Sequence, residues 1–134
     1  MLALVAGISI SIWIDGRIAK EFDRICYFES LTGYGMWEET KNDRNMASLS
    51  KEVGHSLMAI ADLKRRIQLA KSLFAFIVSN NGEHDASSFP AFTLGHHDQQ
   101  PSETARLLLR QTDAADSTAE YLQERAKNQL SVVS

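Results

Sequence analysis

Residues 49–77, LSKEVGHSLMAIADLKRRIQLAKSLFAFI, repeat apolar positions at alternating steps of four and three. This heptad is typical of a long helix that packs in a coiled-coil-like bundle. Eight of the nine positions on its seam are apolar or alanine, and Ser56 is the exception: Leu49, Val53, Ser56, Ile60, Leu63, Ile67, Ala70, Phe74 and Ile77. The pattern predicts a helix over 47–80, stopped by Asn80, Asn81 and Gly82. Its last apolar residues lie on more than one side, which predicts packing against at least two neighbours.

A second amphipathic helix is predicted over about 2–30, ending at Thr32 and Gly33. Its apolar residues Ile14, Ile18, Phe22 and Ile25 follow steps of four, four and three. Five charged residues are assigned to its opposite, polar face: Asp15, Arg17, Lys20, Glu21 and Arg24.

A third helix is predicted over 101–133, because Pro101 and Glu103 suit a helix start. Its apolar stripe runs through Leu108, Thr112, Ala115, Ala119, Leu122, Ala126, Leu130 and Val133. Residues 31–46 and 81–100 are predicted loops. We therefore expect an all-α fold: one domain over 1–134, with three long helices in an antiparallel bundle and a stalk-like carboxyl-terminal helix. The low glycine and proline content agrees with this fold, because only nine of 134 residues are of these types.

Charge and cysteine content exclude several classes of protein. A net charge of -3 argues against a nucleic-acid partner, which requires a broadly basic surface. The single Cys26 excludes an intramolecular disulfide, and no Asn-x-Ser/Thr acceptor is present. A reducing compartment is the default expectation.

The amino-terminal run 2–14 carries no charge. It is shorter than the roughly 20 residues needed to span a bilayer, and no basic region precedes it as in a signal peptide. We interpret it as a buried element; the alternative is membrane attachment through 2–14. Its abrupt apolar start, and a third helix without a stop signal, suggest part of a longer protein.

The remaining candidate residues give no catalytic, cofactor-binding or metal site. The set His84, Asp85, His96, His97 and Asp98 has no cysteine nearby, and the adjacent His96 and His97 are expected to point in divergent directions. It is therefore interpreted as a solvated loop, the alternative being a metal site. His55 is interpreted as partly buried beside the core, and Cys26 as a small core hydrophobe. Trp13 and Trp37 are assigned to packing. The basic residues Lys64, Arg65, Arg66 and Lys71 are assigned to a solvated face of the helix. The alternative is that they contact lipid headgroups or an acidic partner. We expect neither enzyme activity nor a cofactor.

Four segments, in this order along the chain, resemble the soluble helical region of fungal CorA-like magnesium transporters. They are the apolar 2–5 entering a helix, ESLTGYGMW at 29–37, LSKEVG at 49–54 with Leu57 and 61–63, and YLQERAKNQLSVV at 121–133. The last segment is similar to the family's stalk helix above the membrane.

The resemblance implies a homo-oligomer, pentameric in that family, at the cytoplasmic face of a membrane. Family members conduct divalent cations through a pore lined by the first of two transmembrane helices, with a Gly-Met-Asn tripeptide at its mouth. The sequence lacks that tripeptide, so we expect structural or gating coupling without transport by this chain alone. The alternative is a stand-alone cytoplasmic module that binds a partner helix through the 49–77 heptad and the apolar end at Phe74, Phe76 and Val78.

Overall fold

A computed structural model describes residues 2–33, 46–83 and 100–134. Three helices account for these residues except Gly33 and Ser134: α1 (Leu2–Thr32), α2 (Met46–Glu83) and α3 (Gln100–Val133). The predicted all-α fold is therefore confirmed. One predicted bound is wrong, because α2 continues through Asn81 and Gly82 to Glu83. Each of these two residues costs a helix only about 1 kcal/mol or less, which an already formed helix tolerates.

Contacts between α1 and α2 show that the two helices run in opposite directions. Gly7 near the start of α1 lies against Phe74 near the end of α2, while Glu21 contacts Ser56, which is earlier in α2. A Cβ atom at position 7 would lie 2.7 Å from the Phe74 ring, so glycine permits this close approach.

Contacts with α3 complete the topology. Between α2 and α3, Lys71 pairs with Asp113 and Lys64 with Glu120, so these helices also run in opposite directions. The α1 contacts rise together with the α3 numbering, from Ser11 with Gln111 to Thr32 with Gln129, so α1 and α3 run the same way.

In all three helices, the buried positions follow a spacing of alternately three and four residues. The buried residues of α2 are Leu49, Val53, Ser56, Ile60, Leu63, Ile67, Ala70 and Phe74, which confirms the predicted seam through Phe74. The buried residues of α3 are Ala105, Leu108, Thr112, Ala115, Ala119, Leu122, Ala126, Gln129 and Val133. Those of α1 are Gly7, Ser11, Ile14, Glu21, Ile25 and Phe28. Three heptad seams therefore meet in one core, as in a coiled coil.

The predicted register of α1 is wrong by one position at its centre. Glu21, which the sequence pattern assigned to the polar face, is 1% exposed, whereas Phe22 is 43% exposed. Successive steps of four rotate a residue away from the seam, and the step of three from Ile18 to Glu21 restores it. The buried Glu21 carboxylate accepts a hydrogen bond of 2.7 Å from the Ser56 hydroxyl.

The ends of α1 and α3 are joined by side-chain contacts. Gly33 follows the last residue of α1 with φ 69°, a left-handed conformation that terminates helices. The Thr32 hydroxyl donates a hydrogen bond of 2.6 Å to Gln129 Oε1, and Gln129 takes the core position expected for the half-buried Leu130. Because α3 is buried at intervals from Ala105 to Val133, its described residues pack within the bundle. A projecting stalk remains a prediction.

Candidate functional site

The first half of α1 and the last half of α2 leave a large apolar surface exposed. We call it the apolar face and define it as Leu2, Val5, Ile8, Ile12, Trp13, Leu69, Leu73 and Phe76. The expected burial of residues 2–14 is therefore wrong for most of them. The end of α2 does pack against two neighbours, because Phe74 contacts both α1 and α3, but Leu69 at 66% and Phe76 at 61% remain exposed. Each helix contributes only one seam to a three-helix core, so apolar residues beside the seam stay outside it.

A groove of about 460 Å³ lies within the apolar face, between α1 and α2. Its lining is mostly apolar: Ser9, Ile10, Trp13, Ile14, Arg66, Leu69, Ala70 and Leu73. The volume and apolar lining of this groove are typical of a pocket that binds a small ligand or a partner's side chain. Arg66 is the cationic residue in its lining.

Two arginine side chains lie near the Trp13 ring at the edge of this groove. The guanidinium of Arg66 lies 5.0 Å from the centre of the indole ring and that of Arg17 lies 5.8 Å from it. Arg66 also donates a hydrogen bond of 2.8 Å to Asp62. The Arg17 Nε atom is buried and has no hydrogen-bond partner within the described part of the chain. Two cations therefore converge on one aromatic ring at the border of the apolar face.

The basic residues of α2 form two groups that differ in their contacts. Lys64 and Lys71 reach α3: Lys71 pairs with Asp113 at 2.8 Å and with Asp116 at 3.4 Å, and the hydrogen bond to Asp113 raises the pKa of Lys71. The predicted solvated face is therefore wrong for these lysines. Arg65 has a 78% exposed side chain and remains a surface cation, with Asp62 3.8 Å away.

Arg125 of α3 joins α3 to α1 at the other half of the bundle. Its Nε and Nη2 donate to the two carboxylate oxygens of Glu29, with Nε 2.8 Å from Oε1, and Nη2 lies 3.7 Å from Cys26 Sγ. The guanidinium also lies 5.2 Å from the Phe22 ring centre. The hydrogen bond to Glu29 raises the pKa of Arg125. Cys26 is half-buried beside a cation, so its assignment to the core is wrong.

We expect Arg125→Ala to lower the free energy of unfolding by about 1–2 kcal/mol, because charge-assisted bidentate bonds are stronger than exposed ion pairs. The measurement is chemical denaturation followed by circular dichroism. Lys127→Ala is the control, since Lys127 pairs with Glu124 on an exposed surface and its loss should cost less than about 0.5 kcal/mol. Equal effects of the two substitutions would contradict a joining role for Arg125.

The residues considered for metal or acid-base chemistry divide between two regions. His84, Asp85, His96, His97 and Asp98 lie outside the described residues, as does Trp37. In the part that the structure describes, no group of three or more His, Cys, Asp or Glu side chains is placed to hold a metal ion. His55 is exposed, so its expected partial burial is wrong. Its position is one residue before Ser56, directly beside the seam.

Helix α1 is long and apolar enough to cross a membrane by length and composition alone. Its most apolar 18-residue window has a mean hydropathy of 1.6 and is 11% buried. Comparison with protein-family models found no match, and comparisons with curated proteins and with solved structures found no significant match.

Proposed function

We propose that the chain is the cytosolic helical region of a CorA-like metal-ion transporter, with a structural coupling role and no catalytic one. The observation that supports this role is the continuous packing of three helices of 31, 38 and 34 residues. At about 1.5 Å per residue these are rods of roughly 45–57 Å. Packed helices of this length transmit a displacement from one end to the other as rigid bodies.

Cross-helix pairs along the bundle support the same role. Lys71 ties α2 to α3 in one half, and Arg125 ties α3 to α1 in the other. Because each pair fixes the axial register of two helices, sliding of one helix past another requires breaking these bonds. The bundle is therefore suited to moving as one unit against a membrane part.

The decisive experiment is to read the transcript downstream of the codon for Ser134. We expect two apolar spans of about 20 residues each, with Gly-Met-Asn between them. We also expect the purified chain to form a homo-oligomer by multi-angle light scattering and to give no magnesium uptake by itself in transport-deficient cells. A stop codon after Ser134 would contradict the transporter proposal.

A stand-alone helical interaction module is the second candidate, and the apolar face favours it. The partner surface differs from the one expected from the heptad, because the heptad seam and Phe74 are buried inside the bundle. A partner helix would instead contact Leu69, Leu73 and Phe76. Val78, the third residue assigned to that end, is half-buried.

Light scattering of two matched variants tests self-association through this face. Leu69→Glu places a charge on the apolar face, and Met58→Glu places one at a 72% exposed position of the same helix. If the face binds a second copy, Leu69→Glu yields monomers and Met58→Glu retains the oligomer of the unmodified chain. Monomers at all concentrations for the unmodified chain would contradict self-association.

A further inference from the structure

We propose that the apolar face docks onto an anionic membrane surface, with the first half of α1 lying along the interface. This inference goes beyond a structural coupling role, because it assigns a lipid surface as the direct partner of α1 and α2. It concerns binding on one side of the bilayer and does not require α1 to cross it.

The shape and composition of α1 favour a lipid surface over a partner helix. Residues 2–14 carry no charge on any side, and their most exposed large apolar side chains are Leu2 at 88% and Ile12 at 68%. A partner helix in the groove beside Trp13 would cover only the side of residues 2–14 that faces α2, and the residues that point outward would stay in water. A bilayer interface can cover all the exposed side chains of residues 2–14, since it accepts apolar side chains on every outward side.

The side chains at the border of the apolar face are of types that contact lipid headgroups. The amphipathic Trp13 ring is of the type enriched at membrane interfaces, and Arg17 and Arg66 lie over it. Arg65, next to Arg66, has a 78% exposed side chain.

Cations near the apolar face add electrostatic complementarity. In the half of the bundle that carries the face, residues 2–18, 62–83 and 100–116, seven basic residues accompany six acidic ones. In the other described half, residues 19–33, 46–61 and 117–134, five basic residues accompany six acidic ones. The described residues therefore differ little in net charge between the two halves. The local cations Arg17, Arg65 and Arg66 near Trp13 are what would attract an anionic surface.

The packing of α1 explains why it would lie on the membrane without crossing it. Ser11 and Glu21 both face the bundle interior, where they bond to Gln111 and Ser56. Insertion of α1 across a bilayer would break these bonds and expose the seams of α2 and α3. Docking of the outward face leaves the bundle core intact.

Vesicle co-sedimentation of the full chain tests this proposal. Phosphatidylcholine vesicles are compared with equimolar phosphatidylcholine and phosphatidylserine vesicles, and Trp13 fluorescence is read in a Trp37→Phe background. We expect binding to the anionic vesicles with a blue shift of Trp13. Arg66→Glu should weaken binding about tenfold, because each basic residue near an anionic surface contributes to the affinity. Ile12→Glu should weaken it at least as much.

Two control variants separate this proposal from general charge or folding effects. Ser117→Glu adds the same charge at an exposed position of α3, which does not line the groove, and Lys127→Glu reverses a cation in the other half of the bundle. Both should retain anionic-vesicle binding within about twofold, which is small beside the charge effect expected near the surface. Circular dichroism of every variant confirms that it remains helical.

Three results would overturn membrane docking. They are no binding of the unmodified chain to anionic vesicles, equal weakening by the test and control variants, and self-association through Leu69 without any vesicle binding. The last would identify the face as a protein interface. None of them affects the transcript test, so failure of docking is distinguishable from failure of the transporter proposal.

Discussion

Replacing Phe74 by alanine is expected to lower the free energy of unfolding by about 3–5 kcal/mol, the range for a fully buried phenylalanine. The Phe74 ring is 0% exposed, packs in a core cluster with Ile14 and Leu108, and lies against Gly7. Its removal leaves a cavity where all three helices meet. Urea denaturation monitored by circular dichroism at the helical minimum measures the change.

Phe76→Ala is the matched control because it removes the same ring from the same helix. The Phe76 side chain is 61% exposed, so we expect a change within about 0.5 kcal/mol. Losses of equal size at the two positions would show that Phe76 also packs in a core and would contradict the exposed apolar face. An unchanged stability of Phe74→Ala would contradict the described packing of α1 on α2.

The seam of α2 was predictable because its period is regular and its flanks are polar over most of its length. Ile60 and Ile67 recur at the heptad spacing, and both are fully buried. The same argument fails near Phe76, where apolar residues occupy several sides of the helix. Periodicity identifies a seam, but it does not say how many neighbours are present to cover the remaining apolar residues.

The centre of α1 was less predictable, because either Glu21 or Phe22 can occupy the buried position of that turn. Hydrophobicity favours Phe22. The structure places Glu21 inside, opposite Ser56. Ser56 was the only polar residue on the predicted seam, and this was the available signal. A buried hydroxyl requires a hydrogen-bond partner, which can be a carbonyl of its own helix, as for Thr112, or a polar side chain of a neighbouring helix, as for Ser56.

The candidate site depends on register between helices, which the sequence does not specify by itself. The Arg125 to Glu29 pair and the approach of Arg66 to Trp13 each join residues far apart in the chain. Their residue types were visible, but their partners follow only from the axial alignment of the helices. The apolar character of residues 2–14 was visible too, whereas its exposure follows from the number of helices in the bundle.

Replacing Ser56 by alanine is expected to lower the free energy of unfolding by about 1.5–3 kcal/mol, the range for a hydrogen bond to a charged group. The Glu21 carboxylate then remains buried with Arg24, 3.4 Å away, as its other described partner. Ser72→Ala is the control: Ser72 is exposed on the same helix and bonds to the Gln68 carbonyl of its own helix. We expect a change within about 0.5 kcal/mol for this control.

The double variant Glu21→Leu with Ser56→Ala distinguishes an unsatisfied charge from a loss of packing. Removing both partners of a buried polar pair is often close to neutral, because no unpaired group remains in the core. We therefore expect the double variant to be more stable than Ser56→Ala alone and close to the unmodified chain. The measurement is a double-mutant cycle by urea denaturation, with Glu21→Leu as the second single variant. A double variant as destabilised as the two single variants together would show that Glu21 and Ser56 are not coupled. A recovery would show that the polar pair adds little net stability compared with apolar side chains at the same two positions.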